Sequence, residues 1–116
     1  MTTGIRKLGT IDCDLVETTP VVFRDRLYRF EYVRQRYWAN RTGDAYCRFV
    51  AHDTGEPSAA FARGYHLGNV MVEDDVLYVT SVNIWNGERV DLFRSADMEH
   101  WESWNALTLP GFGIFN

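Results

Sequence analysis

The strongest constraint on this chain is that one strand pattern occurs in it twice. The run Pro20-Val21-Val22-Phe23-Arg24-Asp25-Arg26-Leu27-Tyr28 is matched by Val70-Met71-Val72-Glu73-Asp74-Asp75-Val76-Leu77-Tyr78, and Leu77 follows Leu27 by 50 residues (77 − 27). A repeat of this period built from short strands predicts sheets that stack or are arranged around an axis, because one such unit cannot bury its own apolar face. We therefore expect two sheet units in the chain.

Composition favours strands over helices and limits the chain to one domain. Aromatic residues make up 15% of the 116 residues, and Lys is nearly absent beside Arg. A domain of this size buries roughly two thirds of the surface that its unfolded chain exposes. The net charge of −4 gives no electrostatic reason to expect nucleic acid or an anionic membrane as a partner. We predict an all-β fold.

Each unit is predicted to form four short antiparallel strands. In the first unit Tyr28, Phe30 and Tyr32 share one face, while Arg29 and Glu31 point to the other, which is the alternation of a half-covered strand. The predicted strands span residues 20–24, 27–34, 45–51 and, weakly, 59–62 in the first unit, and 69–73, 76–83, 88–95 and, weakly, 103–107 in the second.

Turn residues support these boundaries. Arg24-Asp25-Arg26 is expected to be the hairpin between the first two strands. Asn86-Gly87 predicts a type I′ turn, because both central residues of that turn need positive φ angles, and so predicts a hairpin between the strands on either side.

The most specific motif is Ser95-Ala96-Asp97 followed by Trp101. It resembles the outer hairpin of blades in the five-bladed β-propeller glycosidases. Asp97 is expected to cap the turn through its side chain, and Trp101 to fill the gap between neighbouring sheets. The chain as a whole resembles the propellers of glycoside hydrolase families 43 and 32, whose blades open on a polar residue and an apolar strand. The openings here are Thr18-Thr19-Pro20-Val21-Val22-Phe23, Gly68-Asn69-Val70-Met71-Val72 and the start of a third, Gly113-Ile114-Phe115-Asn116.

The resemblance implies a single partial β-propeller domain over residues 1–116. Blade one covers about 15–62, blade two about 65–109, and a third begins at 111–116, where a complete protein has five. Two blades do not close a ring. We therefore expect either a fragment or self-association through the exposed blade edges.

Such glycosidases use two carboxylic acids that flank the scissile bond, placed at the inner ends of the blades. Where family 43 has an aspartate before proline, this chain has Thr19. Its counterpart in the second unit is Asn69, which can hydrogen-bond a sugar hydroxyl but cannot titrate.

Other residues are therefore the candidates for catalysis. Glu17 lies two residues before Thr19 and shares its strand face. Asp14, with Asp12, lies near the same end, and His66 is the best general acid or base by residue type. Gly64 and Gly68, which flank His66, are expected to let the backbone approach a ligand. The predicted catalytic residues are Glu17, His66 and Asp14, and the predicted substrate-binding residues are Thr19, Arg63, Tyr65, Asn69 and Trp85.

Metal and cofactor chemistry find no support in the sequence. Cys13 and Cys47 lack the close ligand spacing of a zinc site, and we expect buried thiols. Asp74-Asp75 and Asp12-x-Asp14 are not accompanied by a glycine-containing calcium loop. Arginines do alternate with aromatics between residues 24 and 41, as in single-strand nucleic-acid platforms, but they fall on both strand faces. We predict no cofactor and no metal.

These observations leave three alternative functions for the chain. The first is hydrolysis of glycosidic bonds in an oligosaccharide or polysaccharide, the second is sugar binding without catalysis, and the third is a structural interaction module. The sequence shows no signal peptide and no apolar run long enough to span a membrane. If residue 1 is the true start, the expected location is the cytoplasm; otherwise the sequence does not assign one.

Overall fold

The computed structural model describes residues 4–6, 15–34 and 44–114. Within these ranges the chain forms β-strands and no helix, so the all-β prediction is confirmed. The described residues therefore contain no helix long and apolar enough to cross a membrane. The strands form two antiparallel sheets, a first of order β1-β2-β3 and a second of order β4-β5-β6-β7. Their bounds are β1 Leu15–Phe23, β2 Arg26–Arg34, β3 Ala45–Ala51, β4 His66–Glu73, β5 Val76–Val82, β6 Arg89–Ser95 and β7 Glu102–Thr108.

The first sheet has three strands, so the prediction of four in this unit is wrong. The segment 57–61 pairs with β3 only through isolated bridges, Phe61 with Cys47 and Pro57 with Val50. Proline has no N–H to donate to a ladder. Ala62 has a φ of 47°, a left-handed conformation that cannot continue an extended strand. The corresponding residues of the second unit, 103–107, contain no proline and no residue with a positive φ, and they form part of β7.

Both halves of the repeat use the same tight hairpin. Arg24 and Asp25 have φ angles of 49° and 60°, and Asp74 and Asp75 have φ angles of 50° and 57°. Two consecutive positive φ angles between paired strands define a type I′ turn, whose twist matches that of the strands. The repeat seen in the sequence is therefore a repeat of backbone geometry.

The predicted hairpin between β5 and β6 forms, but its turn differs from the prediction. Asn86 has a φ of 58°, whereas Gly87 is not in the positive-φ region. The Gly87 N–H donates to the carbonyl of Ile84 at 3.0 Å. Because the loop is longer than two residues, the Asn-Gly pair closes a turn inside it rather than joining the strands directly.

The main core lies between the two sheets and is rich in aromatic rings. Trp101 stacks on Phe61 with ring centroids 3.8 Å apart and planes 5° apart, and Phe61 meets Phe93 edge-on at 6.0 Å. Trp101 thus packs between the units, as predicted. Asp97 caps its turn as predicted, because its Oδ1 accepts hydrogen bonds of 2.8 Å from the N–H groups of Glu99 and His100.

A third blade was predicted to open at Gly113, but the described residues 113–114 are not in a strand. Residues 111–114 lie in a turn and an irregular segment after β7. The backbone N–H of Ile114 donates to the carbonyl of Gly87 at 2.8 Å, which holds this segment against the β5–β6 loop. Residues 115 and 116 are outside the described residues.

Candidate functional site

The candidate site lies at the end of the sheets opposite the two type I′ turns. Glu17 in β1 faces Tyr32 in β2 as its cross-strand partner, and His66 begins β4 opposite Val82. Polar side chains from three strands therefore meet where the hairpins open, between the first and second sheets.

Irregular strand pairing in β1 and β4 shapes this end of the sheets. The pairing of β1 shifts between Leu15 and Glu17, and that of β4 shifts between His66 and Asn69. Leu67, inside the second irregularity, has a φ of 58°. Such bulges change the direction in which neighbouring side chains point, and here they occur at the same end of both sheets.

His66 is buried and is held by Tyr32. The Tyr32 hydroxyl and the His66 Nδ1 share a hydrogen bond of 2.9 Å, and only 2% of His66 is exposed. Burial, together with the positive charge of Arg34, lowers the pKa of His66 below its ordinary value. Burial raises the pKa of Tyr32 to about 12. At neutral pH the pair is therefore an uncharged imidazole and a protonated phenol.

Glu17 supplies the carboxyl group of this cluster. Burial raises the pKa of Glu17 above its ordinary value, and a hydrogen bond from the backbone N–H of Gly68 opposes that rise. The Glu17 charge also contributes to the raised pKa of Tyr32 and of Cys47, after burial as the main cause. A carboxyl group with a raised pKa can hold a proton that an ordinary surface glutamate would have lost.

Trp85 provides an aromatic surface at the mouth of the site. Its ring lies edge-on to His66 with centroids 6.4 Å apart, and 44% of the residue is exposed. Ile84, beside it in the β5–β6 loop, is also exposed. The mouth is thus apolar, while the groups beneath it form hydrogen bonds.

Thr19 and Asn69 lie on different surfaces. Exposure alternates along β1, so Thr19 is half-buried on the same face as Glu17. Asn69 is exposed in β4, and its Oδ1 accepts a hydrogen bond of 2.9 Å from the N–H of Val70. Of the two family-equivalent positions, Thr19 is the one on the strand face that carries Glu17.

Arg63 and Tyr65, two of the predicted substrate-binding residues, contact side chains outside the Glu17–Tyr32–His66 cluster. The Arg63 guanidinium lies 5.7 Å from the centre of the Tyr46 ring. The Tyr65 hydroxyl donates to Asp91 Oδ2 at 2.5 Å, and Arg89 binds the same carboxylate from Nε at 2.6 Å.

Asp91 is a second acidic group at the open end, and its carboxylate accepts hydrogen bonds from three neighbouring side chains. Burial opposes the change, but hydrogen bonds from Arg89, Tyr65 and Asn105 lower the pKa of Asp91 below its ordinary value. It is therefore held in its carboxylate form by a structural network.

Gly68 does not leave space for a ligand. A Cβ built on it would lie 2.7 Å from Phe30 Cζ and 3.3 Å from the carbonyl oxygen of Thr80. The expectation that this glycine lets the backbone approach a ligand is wrong, because the space is filled by a core aromatic ring.

The structure brings together Glu17, His66 and Trp85 from the predicted set. Asp14, with Asp12, lies outside the described residues. Sequence reasoning assigned Tyr32 only to a strand face and missed its place in the site. The predicted hairpin Arg24-Asp25-Arg26 was one residue too long; counting back from the observed two-residue turn at Arg24-Asp25 places Tyr32 opposite Glu17.

The described part of the chain contains no group of three or more His, Cys, Asp or Glu side chains that could hold a metal ion. Of the groups at this end, Trp85 is exposed and Glu17 is half-buried, whereas Tyr32 and His66 are buried and hydrogen-bonded to each other.

Comparison with known proteins gives no match: no protein-family model, no curated protein and no solved structure is similar to this chain. The resemblance to the propeller glycosidases consequently stays a prediction that rests on the repeat and on the turn motif ending at Trp101.

Proposed function

We propose that the chain binds a saccharide at the open end of its two sheets and acts as a carbohydrate-binding module. The observation that supports this most is the exposed indole of Trp85 beside the buried His66–Tyr32 pair. Sugars present both an apolar ring face and hydroxyl groups. The exposed ring of Trp85 suits the apolar face, and the half-buried Glu17 and Thr19 in β1 suit the hydroxyl groups.

Glu17 adds a polar contact suited to a neutral ligand. Its carboxyl oxygens can accept hydrogen bonds from sugar hydroxyl groups, and burial raises its pKa, which favours the uncharged form beside a neutral ligand. The protonated form can also donate a hydrogen bond to a hydroxyl oxygen.

Calorimetric titration against a panel of oligosaccharides tests the proposal. We expect one class of glycan to bind and Trp85→Ala to weaken its binding at least tenfold. Trp104→Ala is the matched control, because Trp104 in β7 is also 44% exposed. The proposal is wrong if the two variants bind alike, or if no glycan binds, an outcome that would favour a purely structural interaction module.

A second candidate function, glycoside hydrolysis, is favoured by the raised pKa of Glu17, which is the property of a general acid. Hydrolysis needs a second carboxylic acid, and Glu17 is the acid that the described residues supply to this cluster. Asp14 or a residue of a further sheet would have to provide the other.

A hydrolysis assay on the glycans that bind separates the two functions. As an enzyme, the protein should lose at least 99% of its turnover in Glu17→Gln while retaining affinity. Its activity should fall as the pH rises through the pKa of Glu17, because the acid form is the active one. Turnover that survives both Glu17→Gln and His66→Ala would exclude the enzymatic role for this site, and binding without turnover supports the module.

A further inference from the structure

Asn86 is the one asparagine of the chain that is followed by glycine, and it is exposed in the loop between β5 and β6. In such a pair the glycine nitrogen can attack the side-chain amide carbon, because glycine has no side chain to hinder the approach. The bond from Gly87 N to Asn86 Cγ forms, the bond from Cγ to Nδ2 breaks, and ammonia leaves with the glycine proton. Water then opens the cyclic succinimide to aspartate or isoaspartate, so the step needs no oxidant.

The turn that contains this pair opposes the attack. Gly87 is buried, and its N–H donates to the carbonyl of Ile84 at 3.0 Å. The nitrogen must lose this proton and turn toward the Asn86 side chain in order to react. Asn86 lies at the third position of the turn with a φ of 58°, which fixes the backbone that carries both reacting groups. The intact turn therefore keeps the two groups from approaching each other.

The segment after β7 holds both reacting residues. The Ile114 N–H donates to the carbonyl of Gly87 at 2.8 Å. The side-chain amide of Asn86 packs directly against Gly113, because a Cβ built on Gly113 would overlap Asn86 Oδ1 and lie 3.0 Å from its Nδ2. One short segment thus contacts the side chain that would be attacked and the residue that would attack it.

Two further hydrogen bonds attach this segment to the same loop. The Leu109 N–H donates to the carbonyl of Glu88 at 2.9 Å, and the Gly111 N–H donates to Glu88 Oε1 at 2.9 Å. We call residues 109–114 the strap. Phe112 within it is 68% exposed, so its ring contributes little buried apolar surface. A segment that is held mainly by backbone hydrogen bonds opens more readily than a packed core.

We propose that Asn86 is a deamidation site whose rate is set by the docking of the strap. Opening of the strap frees the Asn86 side chain and the Gly87 peptide group, and the succinimide then forms. The rate in the folded protein is the rate of the open chain multiplied by the fraction of time that the strap is open. The products lie next to Trp85 in the sequence: aspartate adds a negative charge there, and isoaspartate lengthens the main chain by one methylene group.

Peptide mapping by mass spectrometry measures the conversion of Asn86 during incubation in neutral buffer. The folded chain should convert at least tenfold more slowly than the same chain unfolded in urea. Ile114→Pro removes the N–H that binds Gly87 and should raise the folded-state rate roughly fivefold, the effect of one net backbone hydrogen bond. Ile114→Ala keeps that N–H, so it is the matched control and should leave the rate unchanged. Gly113→Ala should also raise the rate, because its Cβ displaces the Asn86 amide.

Circular dichroism and the urea midpoint establish that each variant is folded, and Gly113→Ala tests the strap by a second route should the proline variant fail to fold. Equal rates in the folded and the urea-unfolded chain would refute the proposal. So would rates in Ile114→Pro and Gly113→Ala that match the rate in Ile114→Ala. Asn86→Gln should show no conversion at this position, and conversion elsewhere in the loop would overturn the assignment of the site. None of these measurements uses a sugar, so their outcome is independent of the proposed binding function.

Discussion

Replacing Gly68 with alanine tests whether the close approach of β4 to the first sheet is a fixed property of the fold. The new Cβ would lie 2.7 Å from Phe30 Cζ and 3.0 Å from Phe30 Cε1. Phe30 is fully buried, with its ring centroid 5.5 Å from that of Phe49 and 6.5 Å from that of Phe61. Since its neighbours hold the ring, the methyl group cannot be accommodated by a simple rotation of Phe30.

The expected loss of stability can be worked out from two opposing effects. Overpacking a core contact of this kind costs roughly 1–3 kcal/mol. Alanine also restricts the unfolded chain, which offsets about 0.4–1 kcal/mol of that cost. We therefore expect Gly68→Ala to lower the free energy of unfolding by about 1–2 kcal/mol. Urea denaturation, with the midpoint and slope fitted for each variant, measures the difference.

Two further variants make the reasoning refutable. Gly4→Ala is the control, because a Cβ at Gly4 meets no atom within 4 Å, and its free energy of unfolding should change by less than about 0.5 kcal/mol. Phe30→Leu removes the ring atoms that the new methyl group meets, so Gly68→Ala should cost less in that background than in the unmodified chain. A fully additive double mutant, or a Gly68→Ala protein as stable as the original, would show that the ring does not confine this glycine.

Three other perturbations follow from the packing and the buried acids. Trp101→Ala should lower the free energy of unfolding by about 2–3 kcal/mol because its ring stacks between the sheets, whereas the exposed Trp104→Ala should cost less than about 1 kcal/mol, both measured in urea. Asp91 has a folded-state pKa below its unfolded value, so it stabilises the protein fully above about pH 4 and loses that contribution as the pH falls through the folded pKa. Thermal melts from pH 2 to 7 should therefore show a flatter acid limb in Asp91→Asn, and an unchanged limb would contradict this. Burial raises the pKa of the Cys47 thiol, so a Cys13→Ser protein should react with a thiol reagent only at the rate of unfolding, and rapid labelling of the folded protein would refute its burial.

Much of the local structure could be predicted from the residues themselves. The alternation around Phe30 gave the second strand, because side chains of an extended chain point to opposite faces in turn. The repeat placed equivalent turns at Arg24-Asp25-Arg26 and Asp74-Asp75, the first one residue too long because Arg26 already belongs to β2. With the observed two-residue turn, the cross-strand pairing of Glu17 with Tyr32 follows by counting.

Other features depended on contacts that no local pattern encodes. The bond from Tyr65 to Asp91 joins residues 26 positions apart, and Tyr32 meets His66 across 34 positions. The missing fourth strand of the first sheet reflects the positive φ of Ala62, which the sequence pattern did not reveal.

The sequence by itself determined that the chain forms strands, where the two repeated hairpins lie and which residues of each strand share a face, because side-chain alternation and turn geometry are properties of a few consecutive residues. Only the tertiary structure decided which of those faces became the core. It also decided that Gly68 lies against Phe30 and that His66 lies beneath Trp85. The reason is physical: both faces of each strand carry apolar side chains, and the choice between them is made when two sheets bury surface against each other.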